Sequence, residues 1–111
     1  MEPLAEIISS LILRLREGES PQNLLSEIKE VEVEGQLERE ILDSVTKQLS
    51  SGLDDRSLFG RLVKLDEEGL KRIKVSSGEF LEFEPFKGVN RLEILRFWNM
   101  VLERVLANLG E

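Results

Sequence analysis

Two acidic pairs carry the most direct chemistry open to this chain. Glu27 and Glu30 stand three residues apart, as do Glu40 and Asp43. On helices that spacing sets both carboxylates of a pair on one face, and two such faces can hold Mg²⁺. Six bases form a second set: Arg56, Arg61, Lys64, Lys71, Arg72 and Lys74 lie within 19 residues that contain three acids. Bases so gathered can neutralise the phosphates of a nucleic acid. The chain has no histidine, cysteine or tyrosine. It therefore lacks a proton shuttle tuned to neutral pH, a thiolate nucleophile, and imidazole or thiolate ligands for zinc. Serines are present without a histidine to activate them.

The acidic pairs resemble the E-x-x-E … E-x-x-D arrangement of the all-α nucleotide pyrophosphohydrolases, whose carboxylates hold Mg²⁺ against a triphosphate. The resemblance covers residues 27–43, with nine residues between the pairs. It implies a Mg²⁺-dependent hydrolase with Glu27, Glu30, Glu40 and Asp43 as ligands. With 22 acidic residues among 111, pairs at this spacing also arise from composition alone, as Glu79 and Glu82 do. This reading stands third, and no metal or cofactor is expected. The basic set stands second. Followed by a hairpin, it would form the recognition helix and wing of a winged-helix-like nucleic-acid binder. The net charge of −7 and the glutamates on the would-be wing oppose it.

Charge is uneven along the chain. Residues 1–55 carry 5 basic and 13 acidic side chains; residues 56–111 carry 10 and 9. The acidic half repels nucleic acid and anionic membranes, so neither is an expected partner. Apolar residues make up 41% of the 111, enough for one core and for the expectation of a single compact domain over 1–111. The first apolar stretch is broken by Glu6, Ser9 and Ser10, without a preceding basic run, and no stretch approaches a membrane span. Together with the lack of cysteine, this predicts a soluble cytoplasmic protein. Abundant Glu, Arg and Leu with scarce Asn and Gln resemble thermophile usage.

Several elements must position these residues. Leu4, Ile7, Ile8, Leu11, Ile12 and Leu15 recur at helical spacing and predict a helix over Pro3–Glu17. Ser20-Pro21 opens a second helix, with Ser20 as cap and Pro21 in the first turn. Its pattern runs through Ile28, and the alternating Val31-Glu32-Val33-Glu34 fits either a short strand or the frayed end of this helix and is read as the helix end. Gln36–Ser51 is the third helix, with Leu37, Ile41, Leu42, Val45 and Leu49 inward. Asp54 is the expected cap of a fourth, carrying Leu58, Phe59, Leu62 and Val63. Asp66 caps a short turn behind Glu67 and Glu68.

Residues 72–84 change period from 3.6 to 2. Ile73 and Val75 alternate with Arg72 and Lys74; Leu81 and Phe83 alternate with Glu82 and Glu84. Keeping both apolar pairs on one face requires a three-residue loop, 76–78 or 77–79. Asn90 and Glu93 form a capping box for the last helix, Arg91–Leu109. The expected fold is thus α+β, predominantly α: four or five helices with one β-hairpin before a long C-terminal helix. Phe80, Phe83 and Phe86 are expected to form a core cluster with Phe97 and Trp98.

That last helix is apolar on most sides, with a polar strip of Arg96, Asn99 and Glu103. A helix of this kind is central in its domain or covered by a partner. In so short a chain the second reading leads to a self-association surface built on Ile94, Phe97, Trp98, Val101 and Val105. The expected function is a non-catalytic assembly or adaptor role, with a homodimer or another protein as partner. A strict monomer that buries Trp98 internally would argue against it.

Overall fold

The computed structural model describes residues 2–53, 57–73 and 91–109. These form six α-helices: α1 Glu2–Arg16, α2 Pro21–Ile28, α3 Gln36–Ser51, α4 Leu58–Lys64, α5 Glu67–Arg72 and α6 Arg91–Leu109. The long helices follow the apolar periodicity. Leu4, Ala5, Ile8, Leu11, Ile12 and Leu15 bury one face of α1, and Ile41, Leu42, Val45 and Leu49 bury one face of α3. Caps set the short ones. Ser20 accepts a hydrogen bond from the Gln22 amide at 3.3 Å, and Asp66 Oδ1 accepts one from the Gly69 amide at 2.7 Å. Gly18 and Gly52 end α1 and α3 at φ 99°, a left-handed conformation that side-chain-bearing residues resist.

Helix α1 packs along α6 and against α4, α2 packs on α3, and α5 packs on α6, while α3 touches α4. One contiguous apolar cluster joins all six helices. Its largest fully buried side chains are Trp98, Phe59 and Phe97. The Phe97 and Trp98 rings meet edge to face, centroids 5.3 Å apart and planes inclined by 77°, a favoured aromatic geometry.

The expected α+β class is corrected, because the described residues contain six helices and no strand. Arg72, expected to open the first strand of the hairpin, closes α5, and Ile73 caps that helix. The reason is local. Glu67 and Glu68 occupy the positive N-terminal end of α5, and Lys71 and Arg72 its negative C-terminal end. Lys71 also pairs with Glu67 at 3.6 Å, one turn away. The rest of the hairpin expectation, residues 74–84, lies outside the described residues, as do Phe80, Phe83, Phe86 and Asn90.

Two further corrections concern boundaries. Helix α2 stops at Ile28, so residues 31–34 are not its end. They form a connector without regular structure in which Val31 and Val33 are half-buried against the core and Glu32 and Glu34 are exposed. The cap of α4 is Ser57, whose hydroxyl accepts from the Gly60 amide at 3.0 Å. Asp54, expected in that role, lies outside the described residues.

Candidate functional site

The carboxylates do not gather. Glu27, at the end of α2, is paired with Arg14 of α1, its Oε2 2.7 Å from Arg14 Nη1. Glu30 and Asp43 are exposed. Glu40 is half-buried on α3 and accepts a hydrogen bond from Gln36 Nε2 at 3.1 Å. Among the described residues, no three acidic side chains are placed to share a cation. The residues carrying the resemblance to the pyrophosphohydrolases therefore do not form that family's arrangement.

The bases are largely engaged at home. Lys64 donates to the Leu53 carbonyl at 3.0 Å, and Lys71 pairs with Glu67 and Glu68. Arg61 is half-buried and Arg72 exposed; Arg56 and Lys74 lie outside the described residues. Arg61 and Lys64 sit on α4, a helix of seven residues, and Lys71 and Arg72 on α5, a helix of six. Helices this short present about 10 Å of length each, and the Leu65-Asp66 break divides the set between them.

The aromatic face of α6 is also occupied. Ile94, Phe97, Trp98, Val101 and Val105 are each at most 2% exposed within a single chain. Helix α1 supplies the cover that the length argument discounted, with α5 adding to it. Trp98 Nε1 is buried there without a hydrogen-bond partner among the described residues. The expected polar strip does face outward: Arg96, Asn99 and Glu103 are exposed. So is Leu92, at 54%, the one large hydrophobic side chain that is exposed among the described residues. Leu95, Leu106 and Leu109 are half-buried on the same helix.

Sequence reasoning missed two arginines. Arg14 grips Glu19 with two nitrogens, Nε at 2.7 Å and Nη2 at 2.5 Å, while Nη1 holds Glu27. The fork geometry suits a carboxylate. The hydrogen bond to Glu19 raises the Arg14 pKa, and the same bond lowers that of Glu19. Arg14 and Glu27 border a cleft of about 310 Å³ between α1 and the end of α2, with Ile7, Leu11, Ile28 and Val31 along its wall. With two carboxylates already on Arg14, the cleft presents no free positive charge from it. Arg16 reaches from α1 to the last turn of α4. Its Nη1 donates to the carbonyls of Leu62, Val63 and Leu65 at 3.0, 3.1 and 2.5 Å. Those carbonyls form the negative end of the α4 dipole. Single arginines on an amphipathic helix carry no signal of such roles, because the partners lie elsewhere in the chain.

No helix among the described residues is long and apolar enough to cross a membrane. No protein-family model matches the chain, and neither a curated protein nor a solved structure shows significant similarity to it.

Proposed function

We propose that this protein is non-catalytic and acts in the cytoplasm by assembly, through contacts between protein surfaces, with a second copy of itself as the first partner. The observation that carries this reading is the apolar surface left on α6 after the core is filled. Leu92 keeps 54% of its surface in solvent, and Leu95 and Leu106 are only half-buried along the same flank. Helices of solvated domains normally turn such a flank polar, so apolar side chains left open or half-open along it favour a contact. The contact surface thereby moves from the Trp98 face, which the chain uses itself, to the flank beside it. The residue inventory agrees, since the chain has no histidine or cysteine with which to run acid–base or thiol chemistry near neutrality.

Light scattering over a hundredfold dilution series tests the reading. Assembly predicts a mass above 12.7 kDa at the concentrated end that falls on dilution. A mass of one chain at every concentration would sink it.

A further inference from the structure

We propose that two copies of this chain pair antiparallel through a heptad seam on the outer flank of α6. This rests on the assembly reading above and specifies its surface. Leu92, Leu95, Asn99, Leu102, Leu106 and Leu109 follow one another at intervals of 3, 4, 3, 4 and 3 residues. That is the a/d repeat by which helices pack side by side. It shares only Leu102 with the set that fills the core, Ile94, Phe97, Trp98, Val101, Leu102 and Val105. The seam is open along much of its length. Leu92 and Asn99 are exposed, Leu95, Leu106 and Leu109 half-buried, and only Leu102 is buried.

Two features select a second copy as the occupant. First, the positions beside the seam are Arg96 and Glu103, both exposed and neither in an ion pair among the described residues. With two copies antiparallel about a two-fold axis near Met100, Arg96 of each copy opposes Glu103 of the other. The same operation sets Leu92 beside Leu109, Leu95 beside Leu106 and Asn99 beside Leu102, so one sequence supplies both halves of the contact. Second, the opposite shoulder of the seam is Trp98 and Val105, closed inside the core. Charge selection can come only from the Arg96–Glu103 side. Helix α6 holds three arginines, at 91, 96 and 104, against two glutamates, at 93 and 103, in a chain of net charge −7. Two acidic copies therefore meet along a helix that does not add to their repulsion.

Sedimentation equilibrium on the full chain tests this with Arg96→Glu, Glu103→Arg, the double exchange and Leu92→Asp. All three positions are exposed, and circular dichroism verifies that each variant keeps its helix content. The proposal predicts a dimer whose dissociation constant rises about tenfold in either single charge variant. It returns to near the starting value in the double exchange, and rises in Leu92→Asp. A dimer indifferent to all four variants overturns the seam and leaves the assembly reading standing. Weakening in the single variants without recovery in the double overturns the antiparallel pairing. A chain that is monomeric at every concentration overturns both the seam and the assembly reading.

Discussion

Glu19 and Arg14 meet across the turn that Gly18 makes possible at φ 99°. The hydrogen bond from Arg14 holds the Glu19 carboxyl below its usual value of 4.5. In the unfolded chain that bond is lost and Glu19 returns to ordinary behaviour. As pH falls, the unfolded state therefore takes up this proton before the folded state does. The stabilisation is complete above the unfolded value and drains away as pH drops through 4.5 and then through the lower folded value. Urea midpoints measured from pH 6 down to pH 3 should fall more steeply in the wild type than in Glu19→Gln. The difference should shrink in high salt, since both partners of the bridge are about one-third exposed. Identical slopes in the two proteins would show that the bridge contributes nothing to folding. Glu27, on the third nitrogen of Arg14, keeps a bridge to α2 in the variant.

Elements were legible where the sequence alone controls them. The limits of α6 match those read from the sequence, and those of α1 lie within a residue of expectation, because apolar spacing runs the length of both helices. Residues 31–34 show where this fails. Their alternation is real in burial, Val31 and Val33 inward, yet it belongs to an unpaired connector, since period two reports burial and not a neighbouring strand. Arg72 shows the converse, an alternating residue held in α5 by a cap, a dipole and an ion pair. For the site, the apolar excess of α6 was legible, but which side α1 would cover was not. Nothing in sequence spacing announced Arg16 either, although it joins two elements. With α4 only seven residues long, its last turn depends on that guanidinium as well as on packing. Arg16→Ala leaves three part-buried carbonyls short of a charged donor and should cost about 1–3 kcal/mol in chemical denaturation. Arg16→Lys should recover part of that, because an ammonium keeps the charge and can donate to these carbonyls as Nη1 does, but from a shorter stem. A loss below about 0.5 kcal/mol for Arg16→Ala would mean that water serves those carbonyls equally well.

The packing order bears on how the whole molecule comes apart. Helices α1 and α6 form the largest contact, with α4 and α5 added to them, whereas α2 and α3 pack chiefly on each other and reach the rest through α4 and the shared core. Such an arrangement could melt in two steps, with the α2–α3 pair loosening first. The apolar cluster argues for one step. Leu24 and Ile28 of α2 and Ile41, Val45 and Leu49 of α3 are each at most 2% exposed and belong to the same cluster as Phe59 and Trp98. Loss of either pair would therefore open core surface on the other at roughly 25 cal/mol per Å² of apolar area, a large penalty for a chain of this size. Trp98 is the single tryptophan and lies on α6, so its fluorescence reports the α1–α6 half. Far-ultraviolet circular dichroism weighs every helix, with α2 and α3 adding 8 and 16 residues. Urea unfolding followed by the two signals should give coincident transitions with one midpoint and one slope. Dichroism that falls ahead of the fluorescence would assign α2–α3 a stability of its own. The apolar cluster would then be two cores in contact, with the α6 flank able to stay folded, and to pair, after the other half has opened.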